Sequence, residues 1–343
     1  MSPENQKKLW QQYYDTLAKG VDLGYNPKPE MYDPKLAHSL KYDIARFSAF
    51  KETSFRKQLE SALTKDGKIV PWSEFKKTAD VVSGDYNKRW LKTEYNHTVA
   101  TANMAEQWQG FEADKDLYPN LKYVTSGDAR VRDAHKILDG VILPIDHPFW
   151  KSHTTPLDWG CRCNVEQTDD EPSKVIPSYK VKEEFQNNAF YTGKVFNGSA
   201  YESGLSDVQS KEIEIAVDKN FNKLLQKNTK LRLVNGGVTV ARKELNTFIS
   251  FTSSGIKESF NQPHYNKNAK NLLISTIDSV LMKAKYLGSN NDFKENPMVA
   301  KIHIFLTYID KKKTYLINRE LITGEIHFYS ISDGDAILTG IKK

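Results

Sequence analysis

Apolar residues recur at spacings of three and four through most of the first 120 residues, which is the pattern of amphipathic α-helices. The longest such stretch begins near Trp72 and continues to about Phe111. One face of it would carry a row of mostly large apolar side chains: Tyr86, Trp90, Tyr95, Val99, Ala102 and Trp108. The pattern predicts an N-terminal region that is mainly helical.

The chain changes character at Leu121, where short apolar segments separated by Gly, Pro and Asp replace the helical spacing. A small, loop-rich part with few strands is expected there, followed by an irregular arm over residues 168–205. Because 343 residues exceed what one ordinary hydrophobic core holds, about 250 to 300 residues, we expect two domains. The expected boundaries give an N-terminal module over residues 1–205, a connecting helix over 206–229 and a C-terminal domain over 230–343.

The C-terminal region contains signals for strands and helices together. Two alternating apolar runs flank residues 235–237, Asn-Gly-Gly, which predicts a hairpin. A helix is expected over about 266–286, and three strands should follow, separated by turns at 310–312 and 323–324. This order is typical of a compact α+β domain with an antiparallel sheet.

The positive charge of the chain lies in its C-terminal two fifths. Residues from 206 onward hold 21 Lys and Arg against 14 Asp and Glu, whereas the whole chain holds 49 against 43. A basic domain beside a neutral one favours contact with a polyanion, of which nucleic acid is the most common. A solvated, lysine-rich surface explains the same charge, so both interpretations stay open.

The sequence contains no run of 18 apolar residues, and its start lacks the apolar segment of a signal peptide. We therefore expect synthesis in a cytoplasm and no membrane span. That compartment is reducing, so the cysteines are expected to be thiols or metal ligands rather than a structural disulfide.

Cys161 and Cys163 are the two cysteines of the chain, and a single residue separates them. In an extended segment both sulfur atoms point to one face, whereas a disulfide between them would close a badly strained ring. Zinc takes about four nitrogen, sulfur or oxygen ligands. Two buried thiols in an irregular core are the alternative interpretation. Further zinc ligands could come from nearby residues: His135, Asp146, His147, His153 and Asp158.

An ordered series of short motifs surrounds the cysteines. It consists of Arg132-x-x-His135, Asp139-Gly140, Pro148-Phe149-Trp150 and Cys161-Arg162-Cys163, with Lys92-Thr93-Glu94-Tyr95-Asn96 upstream and Phe185-Gln186-Asn187-Asn188 and Gly193-Lys194-Val195-Phe196 downstream. Over about residues 1–200 this series resembles the phage Mu F-like family of minor head, or head morphogenesis, proteins.

The resemblance implies a virion component of a tailed phage, made in the cytoplasm of a bacterial host, with the portal and other head proteins as partners and no catalysis in this half. It strengthens the hypothesis of a structural zinc ion held by His135, Cys161 and Cys163. The fourth ligand is expected to be Asp146 or His147. A structural alternative is that three arginines bridge acidic loops: Arg130, Arg132 and Arg162.

The segment over residues 253–264 is rich in Lys, Asn, Gln and His. RNA cleavage without metal needs a base, an acid and cations or N–H donors that hold the phosphate, so no catalytic cofactor is expected. His264 and His303 are the candidates for base and acid. The candidates for contacts with nucleic acid, through phosphate, amide or stacking interactions, are Lys257, Asn261, Gln262, Lys270, Tyr308, Tyr315 and Tyr329.

His303 belongs to a predicted strand whose alternation places Ile302 and Ile304 on the opposite side. We expect its imidazole on the face away from the aliphatic core, where a substrate could reach it. A histidine whose hydrogen bonds are satisfied within the fold is the more common alternative.

The order of hairpin, loop, helix, His303 strand and terminal strands resembles the phage-associated branch of the barnase/EndoU/colicin/RelE-like nuclease superfamily over about residues 230–343. It implies a metal-independent ribonuclease that acts as a toxin or effector, with RNA and an immunity protein as partners. Two alternatives stay open: a domain that binds DNA, RNA or a head protein without cleavage, and a toxin that the N-terminal module only delivers. The candidate catalytic residues are Lys257, His264, His303 and Tyr329.

Overall fold

The computed structural model describes residues 1–292 and 294–342. The chain forms two compact units, Met1–Val217 and Asp218–Lys343. Within the described residues, no helix is both long and apolar enough to cross a membrane.

The N-terminal unit is mainly helical, which confirms the prediction from apolar spacing. Ser2 and Asp33 cap the first two helices by accepting hydrogen bonds from the backbone N–H groups of Asn5 and Lys35. Its helices are α1 (Pro3–Gly24), α2 (Pro34–Ser61), α3 (Trp72–Gly84), α4 (Trp90–Asp114), α5 (Asp133–Lys136) and α6 (Ala189–Thr192).

The predicted long helix over 72–111 is two helices joined by a π-helical turn at Asp85–Arg89. Helices α1 and α4 approach closely at Gly24, where an added Cβ atom would lie 2.3 Å from the Val99 carbonyl oxygen. A glycine is therefore needed at this crossing.

The loop-rich part after Leu121 forms a small antiparallel sheet in the order β4-β3-β5. Its core holds Trp108, Tyr123 and Trp150, all buried. The strands of this unit are β1 (Thr64–Lys65), β2 (Lys68–Ile69), β3 (Asn120–Val124), β4 (Ile142–Pro144) and β5 (Asn164–Thr168).

The irregular arm is tied to α2 by a buried carboxylate. One oxygen of Asp43 accepts hydrogen bonds from two backbone N–H groups, those of Val195 and Phe196, at 2.9 Å each. Burial raises the pKa of Asp43 to about 6 in spite of these donors. The arm is thus fixed by backbone hydrogen bonds where it has little regular structure.

The C-terminal unit contains a six-stranded sheet in the order β6-β7-β11-β10-β9-β8. Helix α7 (Asp207–Lys230) leads into this unit, and the division between the two units falls within it. The other elements are β6 (Thr239–Arg242), β7 (Thr247–Phe251), α8 (Ser253–Asn261), α9 (Lys267–Ser275), α10 (Ile277–Lys283), β8 (Lys285–Asn290), β9 (Val299–Ile309), β10 (Lys312–Leu321) and β11 (Ile326–Ser332).

This sheet is mixed, which corrects the prediction of a purely antiparallel one. Strands β11 and β7 pair in parallel, with Ile326 opposite Ile249, whereas the other neighbours are antiparallel. The three consecutive C-terminal strands do form an antiparallel meander, and Asp310 and Lys311 adopt positive φ at the first turn. Strand β7 precedes this meander by three helices, so its direction relative to β11 could not be read from a local turn.

The hairpin predicted at residues 235–237 is wrong. Leu231–Asn235 continues from α7 as a π-helical turn, because Leu233 is buried in the core cluster of this unit. The real hairpin joins β6 to β7, with Asn246 at φ 50 in its turn. The helix predicted over 266–286 is likewise broken at Thr276, which separates α9 from α10.

Both faces of strands β9 and β10 are covered. On one face Leu316 and Phe305 join the cluster that includes the helix residues Ile256 and Ile274. On the other face a second cluster contains Ile302, Ile304, Tyr315 and Ile317.

Candidate metal centre and candidate nucleic-acid residues

Two segments of the N-terminal unit that are distant in sequence bring His135, Cys161 and Cys163 together. His135 lies on the short helix α5, and the cysteines lie just before β5. The Nδ1 atom of His135 is 3.6 Å from the Cys161 sulfur and 3.9 Å from the Cys163 sulfur. The three possible ligand atoms all lie within 4.8 Å of one another.

These separations fit a tetrahedral zinc ion. With zinc–sulfur and zinc–nitrogen bonds of ordinary length, a nitrogen and a sulfur ligand lie about 3.6 Å apart. His135 is buried, with 2% of its surface exposed. The Tyr179 hydroxyl lies 3.2 Å from its Nε2 atom, and such a contact orients a ligating imidazole so that Nδ1 faces the sulfurs.

The two thiols share a proton unequally. A hydrogen bond from Cys163 is the main cause that lowers the pKa of Cys161 to about 5, and backbone hydrogen bonds and His135 add to it. The pKa of Cys163 is raised, first by its hydrogen bond to the Cys161 sulfur and then by burial. One thiolate is thus favoured near neutral pH, and the thiolate is the form that binds metal.

Tyr123 borders this cluster with an unused polar group. Its side chain is fully buried on β3, and its hydroxyl makes no conventional hydrogen bond within the described part of the chain. The neighbouring Cys163 thiol is a weak partner, and burial followed by the two cysteines raises the pKa of Tyr123. A buried hydroxyl without a good partner beside three possible ligand atoms is an unusual concentration of unused donors and acceptors.

The remaining predicted zinc ligands lie elsewhere. Asp146 is exposed and is not in this cluster. The Nδ1 atom of His147 accepts a hydrogen bond from the Phe149 N–H at 3.2 Å, and His153 is hydrogen-bonded to the Tyr179 carbonyl at 2.9 Å. Each of these two histidines therefore makes a hydrogen bond with a backbone group.

The arginines of the same region also bridge acidic loops, as the structural alternative predicts. Arg162 donates two hydrogen bonds to Asp128, at 2.6 and 2.8 Å. Arg132 lies 3.7 Å from Asp158 and donates to the Trp159 carbonyl at 2.7 Å. Charge bridging and the thiol–imidazole cluster therefore coexist.

In the C-terminal unit, Lys270 has a structural position. Its ammonium is fully buried and donates to the carbonyls of Ser259, Phe260 and Gln262, at 2.8, 2.9 and 2.8 Å. These carbonyls lie at the end of α8, where helix carbonyls lack internal partners. Burial lowers the pKa of Lys270 to about 8. All three protons of the ammonium are used, so no donor is left for a phosphate.

His303 lies opposite Ile302 and Ile304, as alternation predicts, but the face on which it lies is covered too. It is 4% exposed, which corrects the expectation of an accessible imidazole. Its Nε2 atom is 2.7 Å from Glu320 and its Nδ1 atom 3.0 Å from the Tyr286 hydroxyl. Burial lowers the pKa of His303, and Glu320 partly offsets the effect.

His264 and His303 lie at different levels of the sheet. The Nε2 atom of His264 is 3.4 Å from the Thr314 hydroxyl, whereas His303 pairs with Asn318 on the same strand. Four residues of a β-strand span about 13 Å. The structure does not bring the two histidines to a common phosphate position.

The other nucleic-acid candidates are divided between exposed and buried positions. Tyr315 is buried and its hydroxyl donates to Asp335. The Tyr329 hydroxyl accepts from Lys294 at 2.9 Å, and the Arg319 guanidinium lies 3.5 Å from its ring centre. The remaining candidates are partly or fully exposed: Lys257, Asn261, Gln262 and Tyr308.

Sequence reasoning missed the partners that satisfy these side chains. Glu320 and Lys301 face each other across β10 and β9, next to the pair of Asn318 and His303. An acidic residue two positions from the partner of a strand histidine was the available signal, because residues two apart share a face.

Comparison with known proteins gives a match for each unit. Residues 53–166 match the family described as phage Mu protein F like protein, and residues 216–328 match large polyvalent protein-associated domain 3. The first match includes the whole thiol–imidazole cluster. The second takes the place of the expected nuclease superfamily, and membership of that superfamily is not shown.

Two curated relatives are similar to the N-terminal part. Putative capsid assembly protein F of Escherichia phage Mu is 27% identical over an alignment of 170 residues, and the match covers 43% of this chain and 37% of that protein. Mu-like prophage FluMu F protein of Haemophilus influenzae is 37% identical over 78 residues, 23% of this chain and 19% of that protein. The matched segments thus span less than two fifths of either relative. No solved structure gives a significant match. The N-terminal unit is therefore similar to phage Mu F-like proteins over these segments.

Proposed function

We propose that this chain takes part in the assembly of a phage head, with its N-terminal unit as the assembly module and the portal and other head proteins as partners. The match of residues 53–166 to the phage Mu F-like family carries the proposal. The relative named as a capsid assembly protein supports it over a longer segment. On this proposal the chain is made in the host cytoplasm and becomes part of the virion.

Deletion of the gene from the phage or prophage that encodes the chain tests this role. We expect fewer filled heads by electron microscopy and a large fall in infectious particles, both restored by the wild-type chain supplied from a plasmid. The chain should also be detected in purified virions by mass spectrometry. Normal numbers of filled, infectious heads after deletion would contradict the proposal.

Within this module, His135, Cys161 and Cys163 are proposed to hold a structural zinc ion. Their separations and the burial of His135 support it. The bound ion would supply charge that offsets the thiolates and would join α5 to the start of β5. The fourth ligand is proposed to be a water molecule or a neighbouring phenol oxygen, since Asp146 lies outside the cluster.

Metal analysis of the intact purified chain tests the zinc proposal. We expect close to one zinc per chain in the wild type and none in Cys161→Ser. Asp146→Asn is the matched control and should keep its zinc, because this carboxylate lies outside the cluster. All six tryptophans lie at or before residue 159, so tryptophan fluorescence follows the N-terminal unit during unfolding. A zinc-free wild type with the same unfolding midpoint in chelator as in added zinc would overturn the proposal.

For the C-terminal unit, binding without cleavage is favoured over ribonuclease activity. The observation behind this choice is that Lys270 and His303 are buried and used by the fold. Its excess of Lys and Arg still supports a polyanion or an acidic protein as partner. An immunity protein would then have no toxic activity to neutralise.

Incubation of the full chain with RNA in EDTA separates the two functions. We expect intact RNA and, where RNA binds, an affinity that falls steeply as salt rises, because lysine–phosphate contacts release counterions. Cleavage that is lost in both His264→Ala and His303→Ala would reinstate the ribonuclease. Binding that is unchanged between low and moderate salt would exclude a phosphate contact.

A further inference from the structure

A cavity of about 460 Å³ lies within the N-terminal unit, between α2, α4 and the irregular arm. Aromatic rings in successive contact surround it: Trp90 contacts Tyr86 at 4.7 Å between ring centres, and Tyr86 contacts Tyr201 at 5.5 Å. The series continues through neighbouring ring centres 4.0 to 6.0 Å apart, and its remaining members are Phe47, Phe196, Trp159 and Phe185. The volume is in the range of small-ligand sites, about 300 to 1,000 Å³.

The charged side chains in the cavity wall are two glutamates, Glu94 and Glu184. Glu94 is neutralised, since both of its oxygens accept hydrogen bonds from the buried Lys51 ammonium at 2.8 Å. Glu184 is half-buried, and among the residues that the structure describes no cation pairs with it. The wall therefore presents one uncompensated negative charge beside a ring of π systems.

Aromatic rings of this wall already hold one cation. The Lys51 ammonium lies 5.2 Å from the Tyr86 ring centre and 5.1 Å from that of Tyr201. Aromatic faces attract cations because the ring quadrupole is negative above and below the plane. The charge of Lys51 is balanced by Glu94, so this pair does not repel a second cation.

We propose that this cavity binds an arginine side chain from a basic segment of a protein partner. A guanidinium is planar, stacks on aromatic faces and forms two parallel hydrogen bonds to a carboxylate, and Glu184 is a carboxylate residue of the cavity wall. Its three-carbon stem would contact the phenylalanine rings. The proposal concerns a site separate from the zinc cluster and does not depend on the presence of a metal.

Titration of the intact chain with N-acetyl-arginine amide tests the site, with N-acetyl-citrulline amide as the matched probe. Citrulline keeps the shape of arginine and loses its charge. The six tryptophan indole N–H signals in a nitrogen–proton correlation spectrum locate the binding. We expect shifts at Trp90 and Trp159, no shift at the exposed Trp72, and an arginine affinity about tenfold above that of citrulline.

Glu184→Gln should remove most of the preference for arginine over citrulline. Glu183→Gln is its matched control, because Glu183 is exposed, adjacent in sequence and outside the cavity wall. Both variants should show wild-type tryptophan unfolding curves. The proposal is overturned by equal shifts with arginine and citrulline, by shifts confined to Trp72, or by tighter binding of N-acetyl-tyrosine amide, which would indicate an apolar partner.

Discussion

The two units treat their polar residues differently. In the N-terminal unit, His135 lies beside two thiols that are distant from it in sequence. The nearby Tyr123 hydroxyl makes no conventional hydrogen bond among the described residues. In the C-terminal unit, by contrast, Lys270 and His303 make hydrogen bonds to neighbouring groups with all of their side-chain nitrogen atoms.

Hydrogen-bond satisfaction therefore separates structural residues from candidate site residues. A buried polar group that is satisfied by the fold stabilises it, whereas a group of polar atoms held together without full satisfaction is arranged for something else. By this criterion the thiol–imidazole cluster and the cavity at Glu184 are the stronger candidate sites. The histidines of the C-terminal sheet are the weaker ones.

Lys270→Met should destabilise the chain more than any other substitution considered for either unit. The substitution removes the Lys270 donor from three carbonyls at the end of α8, two of them buried. Each buried carbonyl left without a partner costs on the order of 1 to 3 kcal/mol. We expect the free energy of unfolding of the C-terminal unit to fall by about 4 kcal/mol. Hydrogen exchange of α8 in the intact chain measures it, since no tryptophan reports on this unit.

Lys257→Met is the matched control, because Lys257 lies on α8 itself, the helix whose final carbonyls Lys270 contacts from α9. Lys257 is exposed, so its replacement should change the free energy of unfolding by less than about 0.5 kcal/mol. Equal exchange rates for the two variants would show that Lys270 is not used by the fold and would restore it as a phosphate contact.

The sequence predicted the positions of most elements but not the contacts across them. Periodicity identified the helical N-terminal unit and the strand of His303, because these patterns are local. His303 is in contact with side chains of its neighbouring strands, Tyr286 on β8 and Glu320 on β10, and the parallel pairing of β7 comes from a long connection. In the candidate site, the i, i+2 spacing of Cys161 and Cys163 predicted that both sulfur atoms would point to one face. The position of Asp146 outside the thiol–imidazole cluster depends on the turn after β4, which the spacing does not predict.

The second effect concerns His97, a buried histidine that no predicted site includes. Its ring stacks on Phe196 at 5.3 Å between ring centres, and its Nδ1 atom has no hydrogen-bond partner among the residues that the structure describes. Burial lowers its pKa to about 4, although Asp158 opposes the shift. The unfolded chain takes up the proton near the ordinary pKa of 6.5, before the folded chain does. The contribution of His97 to stability is therefore fully present above about pH 6.5 and is lost as pH drops to about 4, by about 3 kcal/mol.

His97→Phe should remove this pH dependence, because phenylalanine fits the aromatic surroundings and carries no proton. The measurement is urea unfolding of the intact chain by tryptophan fluorescence at about pH 7 and about pH 4.5, on either side of most of the expected loss. The variant should gain relative to the wild type at the lower pH only. Parallel curves for the two proteins would mean that His97 is protonated without cost in the folded state.

The smallest of these effects is a gain in the free energy of unfolding rather than a loss. Tyr123→Phe removes a buried hydroxyl that has no conventional hydrogen bond, so in chelator the metal-free protein should gain about 1 kcal/mol in the free energy of unfolding. Tyr179→Phe is the matched control: its hydroxyl contacts His135 at 3.2 Å, and its loss should destabilise the unit. Both are followed by tryptophan fluorescence in urea. Destabilisation by Tyr123→Phe in chelator would show that the hydroxyl is satisfied, and the N-terminal cluster would then resemble the self-contained contacts of the C-terminal unit.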